Sequence, residues 1–183
     1  TGKTVIAINL LARLTQEGIF VQYCSKNSAP RTVYAKKLKG NRTKSCIDNM
    51  FKGSGSYVDA PENAVGAILA DEAHRLNEKS GLYSNQGINQ IYEIIRAARL
   101  SVFFIDESQR VTVKDIGSVG EIKHWATVNN ATVYEEELSS QFRCNGSDGY
   151  LAWLDDVLEI RETANYNFEN IDYEFVVFDS PQE

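Results

Sequence analysis

Two short apolar runs, residues 65–70 and 100–105, each stop at an acidic pair, Asp71-Glu72 and Asp106-Glu107. A brief, nearly continuous apolar run bounded by polar segments suits a strand covered on both faces, the form found in parallel sheets. Carboxylates do not fit inside such a strand, so the pairs mark the carboxyl ends, where open α/β sheets bind their ligands. Helical spacing of apolar residues recurs between the runs. It predicts helices over residues 4–16, 32–39, 88–98, 119–128 and 148–160, with a shorter one near 47–51. Further strands are expected over 19–24, 132–138 and 172–178, and a loop at Gly53-Ser54-Gly55-Ser56. Strands alternating with helices define an α/β class with a mainly parallel sheet.

The chain starts Thr1-Gly2-Lys3-Thr4 and passes directly into the first helical pattern. This is the back half of the phosphate-binding loop G-x-x-x-x-G-K-[ST]. Backbone N–H groups at a helix start attract anions. Lys3 is placed to reach β- and γ-phosphates, with Thr1 and Gly2 in the loop backbone, and the Thr4 hydroxyl suits magnesium. The loop's first Gly, the three residues after it and the strand that feeds them fall before Thr1. Nucleotide binding by residues 1–183 alone is therefore expected to be weak, and exposed sheet edges are expected to be open to self-association.

Which acidic pair serves the magnesium is not decided by the apolar runs alone. The first continues as Asp71-Glu72-Ala73-His74-Arg75, the second as Asp106-Glu107-Ser108-Gln109. Asp106 has a second reading as a turn cap, with Gln109 on the surface. His74 has no second ligand nearby in sequence, so it reads as a hydrogen-bonding coupler rather than a metal ligand.

Composition bounds the rest. Hydrophobic residues at 43% and charged residues at 24% suit a globular core. No apolar run approaches the roughly 20 residues of a membrane span. Three cysteines, Cys24, Cys46 and Cys144, show no paired spacing, which fits a reducing, cytoplasmic setting. The net charge of −6 is locally reversed over residues 31–52, where Arg31, Lys36, Lys37, Lys39, Arg42, Lys44 and Lys52 face Asp48 alone. That segment is either a solvated face or a contact for nucleic-acid phosphates. Trp125 and Trp153 lie on helical patterns and are expected to pack inward.

Gly2-Lys3-Thr4, Asp71-Glu72-Ala73-His74-Arg75, Ile105-Asp106-Glu107-Ser108-Gln109 and Leu138-Ser139-Ser140-Gln141-Phe142-Arg143 follow one another in the motif order of superfamily 1 helicases. More narrowly, the chain resembles the Schlafen-type helicase-like ATPases. The resemblance covers about residues 1–145. It implies a RecA-like P-loop core lacking its first strand over residues 1–162, then a linker and the start of a second such domain over 163–183. It also implies ATP and Mg²⁺ as cofactors and single-stranded DNA or RNA as partner. By the same resemblance Lys3 contacts phosphate, Thr4 and Asp71 hold magnesium, and Glu72 activates water. Gln109 senses the γ-phosphate, and Arg143 approaches it. Two positions depart from the common pattern: Ile105 stands where many helicases have Gly, and Glu107 where they often have Pro. Arg143 has a second reading as an ion-pair partner of Glu135, Glu136 or Glu137. The functional alternatives are a P-loop switch that unwinds nothing and a non-catalytic nucleotide- or nucleic-acid-binding module.

Overall fold

The computed structural model describes residues 2–38, 43–81, 83–138, 148–160, 162 and 180. The chain divides into two compact units, Lys3–Glu136 and a second made of Thr1–Gly2 with Glu137–Glu183. Of the second, the helix α6 (Asp148–Val157) is described, with Tyr150 and Trp153 stacked 6.1 Å apart. The strand expected over 172–178 lies outside the described residues.

The first unit is built on four parallel strands, β1 (Val21–Ser25), β2 (Phe51–Lys52), β3 (Val65–Asp71) and β4 (Ala98–Phe103), in the order β2-β1-β3-β4. Helices α1 (Lys3–Gln16), α2 (Ser28–Leu38) and α3 (Lys44–Met50) precede β2, and α4 (Gln90–Ala97) and α5 (Val119–Val128) follow β3 and β4. This is the α/β architecture with a parallel sheet expected from the alternating pattern, and it is consistent with the RecA-like core that the resemblance implies. Period-two alternation separates two cores. Val21, Tyr23, Ala67 and Leu69 pack with Ala7, Leu11, Ile47 and Phe51. Cys24, Ile68 and Ala70 pack with Ile91, Ile94, Ala97 and Ala126. So α1 and α3 cover one face, and α4 and α5 the other.

The chain leaves β1 toward β2 on one side and leaves β3 toward β4 on the other. The order thus reverses between β1 and β3. At such a switch point the two connections diverge and leave a crevice beyond the carboxyl ends. Ser25 and Asp71, paired in register, are the last residues of the two strands there.

Local chemistry explains most boundaries. Helix α1 ends in a left-handed Gly18 (φ 78°), whose N–H and that of Ile19 return to the carbonyls of Thr15 and Leu14. That pattern satisfies the last carbonyls of a helix and needs a residue without a Cβ penalty. Asn89 caps α4 by accepting from the N–H groups of Ile91 and Tyr92, and Ser118 caps α5 by accepting from Glu121.

Several expectations are corrected. Helix α2 starts at Ser28, before Pro30, because a proline in the first turn lacks only an N–H that has no helical partner. Strand β2, two residues long, was hidden in the irregular stretch after α3. The Gly53–Ser56 segment is no open loop: residues 54–57 form a 3₁₀ turn with Ser54 and Tyr57 buried. Among the described residues strand β4 pairs with β3 alone, at the edge of the sheet rather than inside it, with Leu100 49% exposed. Residues 132–138 form no strand; they run exposed along the surface, with Lys123 and Glu135 paired at 2.6 Å. Ala7 and Leu11 form the buried stripe of α1, whereas Val5 is exposed although helical spacing sets it in line with Ile8 and Leu11. Trp125 is partly buried against the core, its indole N–H on Glu121 at 3.0 Å.

Candidate nucleotide site

Helix α1 delivers its first turn to the carboxyl ends of β3 and β4. Lys3 Nζ donates to Asp106 Oδ2 at 2.9 Å, and Thr4 Oγ1 donates to Asp71 Oδ2 at 2.8 Å. Residues 67 and 103 positions apart in sequence are thus joined through one helical turn. Gly2 immediately precedes that turn. Thr1 and Arg143 lie outside the described residues. Of the two competing acidic pairs, the one at 71–72 meets the threonine and the one at 106–107 meets the lysine.

Asp71 is almost wholly buried. Its Oδ2 also accepts the Tyr23 hydroxyl at 2.7 Å, and its Oδ1 accepts the N–H of Glu72 at 3.0 Å. A buried carboxylate needs such partners, since an unpaired one is strongly disfavoured away from water. Burial, then the bond to Asp71, raises the Tyr23 phenol well above its ordinary value, so it remains a donor.

Glu72 sits at φ 55°, ψ 43°, a left-handed conformation that costs a side chain bearing Cβ about 1–2 kcal/mol. Neighbouring bonds hold it there. The N–H of Ala73 donates to the Phe104 carbonyl at 2.9 Å, and the N–H of Arg75 to the Glu72 carbonyl at 2.9 Å. The turn places the Glu72 carboxylate beside His74, with Oε2 3.1 Å from Nε2. Burial lowers the His74 pKa against the opposing pull of Glu72, so the ring is neutral at pH 7. Nε2 is the ring nitrogen that faces the Glu72 carboxylate. Nδ1 is buried with no hydrogen-bond partner among the described residues.

Asp106 is the second hub. Its Oδ2 accepts from Lys3 and also from Gln109 Nε2 at 2.7 Å. Burial alone would raise its carboxyl; the Lys3 bond and charge outweigh that, with Gln109 adding, and hold it below the usual value. The Lys3–Asp106 link is consequently intact at neutral pH and is lost only as pH falls through that lowered value. Gln109 is exposed, in a 3₁₀ turn, and reaches the site through Asp106.

The family model of the Schlafen group 3 DNA/RNA helicase domain matches residues 1–183. The chain belongs to that family. No curated protein and no solved structure matches it.

In this Schlafen-family, helicase-like domain, three further features were not visible as site residues in the sequence. Tyr23 looks like any aromatic residue of a buried strand. Asp106 appeared as a rival magnesium ligand and proves to be the lysine's partner. The third is Asp115, whose side chain is fully buried. It accepts from Lys26 at 2.9 Å and from the N–H groups of Val111 and Thr112. Lys26 follows the last residue of β1, and its Nζ also bonds Asn77 at 3.0 Å. The loop after β4 is thereby tied to the end of β1. Gly117 closes the same contact: a Cβ there would lie 1.9 Å from the Ala73 carbonyl oxygen, so only glycine lets this loop lie against the acidic turn.

Proposed function

We propose that the domain binds ATP with magnesium at the ends of β3 and β4, hydrolyses it, and couples that cycle to single-stranded DNA or RNA. One observation carries the reading: a single turn of α1 brings Lys3 and Thr4 onto two different strand-end carboxylates. Thr4 and Asp71 are hard oxygen donors side by side. That suits Mg²⁺, which takes one or two protein oxygens and completes its shell with phosphates and water. Among the described residues no group of three or more His, Cys, Asp and Glu could hold a metal by itself, so a metal here would need the nucleotide's oxygens. Within the set Lys3, Asp71, Glu72 and Asp106, three carboxylates against one ammonium leave two negative charges, as a divalent cation requires. Bound magnesium would neutralise charge on the β- and γ-phosphates.

The protein's own groups supply the rest. Lys3 leaves Asp106 for phosphate oxygens. Glu72, fixed by its strained turn and by His74, accepts the proton of a water as that water's oxygen bonds to the γ-phosphorus. The bond from that phosphorus to the bridging oxygen breaks, and ADP departs with the electron pair. Arg143 is assigned to the γ-phosphate by motif position. Gln109, bonded to the same Asp106 oxygen that Lys3 leaves, carries the nucleotide state into the loop after β4. Lys36, Lys37 and Lys44 are exposed on α2 and α3 and offer contacts to a phosphate backbone.

ATPase activity of the intact protein, measured with and without single-stranded DNA or RNA, checks this. Stimulation by one of them, falling as salt rises, is the expected outcome. ATP turnover indifferent to both would replace the motor by a switch; absence of turnover would remove the enzyme.

A further inference from the structure

Tyr23 is wholly buried at the centre of β1, opposite Leu69 in register, two pairs before Ser25–Asp71 and on the same face of the sheet as Asp71. Its ring packs against both Tyr34 (6.0 Å) and Phe51 (5.8 Å), which stack on each other. Packing alone would be served as well by phenylalanine, since a buried hydroxyl must find a partner or cost free energy. The partner it finds, at 2.7 Å, is Asp71 Oδ2. The same oxygen takes Thr4, and Oδ1 takes the Glu72 N–H. An ionised carboxylate offers about four acceptor positions. Three are filled, which leaves one, on Oδ1, for a further donor such as a water on magnesium. The two hydroxyls on Oδ2 are not equivalent. Thr4 belongs to the helix that meets the phosphates, whereas Tyr23 is rooted in the sheet.

We propose that Tyr23 is a positioning residue for magnesium: its hydroxyl locks the rotamer of Asp71, whatever Thr4 is ligating, so that one oxygen position stays aimed at the ion's water shell. The inference rests on reading the site as one for magnesium nucleotide. Partners that orient a metal's ligand commonly alter affinity by 10–100-fold when removed.

The test is equilibrium binding of a fluorescent ATP analogue to the intact protein, titrated with Mg²⁺ and repeated in EDTA. With Tyr23→Phe, the Mg²⁺ concentration for half-maximal binding should rise about tenfold, while binding in EDTA stays as in the wild type. Tyr23→4-aminophenylalanine, which restores a donor on the same ring, should return the midpoint most of the way and keeps the test open if the Phe variant folds poorly. A midpoint unmoved by loss of the hydroxyl, with only thermal unfolding shifted, overturns the proposal and leaves Tyr23 a core residue. A wild-type protein that binds the analogue equally with Mg²⁺ and with EDTA would instead overturn the magnesium reading of the site, and this role with it. That failure is read on the wild type alone.

Discussion

Glu72→Gln in the intact protein is expected to bind ATP with wild-type affinity and to hydrolyse it about 10²–10⁴-fold more slowly, the usual worth of a positioned general base. The amide keeps the size of the carboxylate, and its oxygen can still lie beside His74 Nε2, which is 3.1 Å from Oε2. Nothing in the change disturbs the left-handed turn or the Ala73–Phe104 backbone bond that pins it. Affinity should therefore survive while proton acceptance is lost. Binding by fluorescence and turnover by phosphate release separate the two. Turnover at the wild-type rate would remove Glu72 from the chemistry and leave the strained turn without a catalytic reason.

Lys3→Ala should weaken ATP binding by about 10–100-fold, equivalent to losing a charged hydrogen bond of about 1.5–3 kcal/mol. The same change strips Asp106 of the ammonium that holds its carboxyl low, against burial that pushes the other way. Asp106 should then titrate closer to, or above, its ordinary value, and Gln109 would keep a partner that is no longer reliably charged. Asp106→Asn provides the converse. With no carboxylate to leave, Lys3 is freer for phosphate, so binding should tighten rather than weaken. Calorimetric titration of the two variants decides. Unchanged affinity in Lys3→Ala would place the phosphates elsewhere, and weaker binding in Asp106→Asn would mean that the carboxylate supports the nucleotide instead of standing in its place.

Much of the layout could be read from the chain because its signals are local. An apolar run that ends in carboxylates marks the end of a buried strand, and the Gly18 and Asn89 ends of the adjacent helices follow from turn and cap chemistry. Asp71 and Glu72 stood out for the same reason, at the end of the first apolar run, and Lys3 and Thr4 through the phosphate-loop pattern that opens α1. What escaped depends on pairing across long sequence distances. The edge position of β4 cannot be read from its own residues, because apolar content does not say how many neighbours a strand has. Residues 132–138 open with Thr132, Val133 and Tyr134, types that favour strands, yet among the described residues no partner strand pairs with them, and backbone pairing rather than residue type makes a strand. Tyr23 and Asp115 escaped because a phenol or a carboxylate reveals its role only through the group it touches, 48 positions away for Tyr23 and Asp71, 89 for Lys26 and Asp115.

A structure of the intact protein with a non-hydrolysable ATP analogue and Mg²⁺ tests the central claim most directly. Lys3 Nζ should have left Asp106 for the β- and γ-phosphates, with the ion between Thr4 and a water held by Asp71 and the Glu72 carboxylate facing the γ-phosphorus. An analogue bound away from the ends of β3 and β4, with the 2.9 Å Lys3–Asp106 pair still closed, would contradict it.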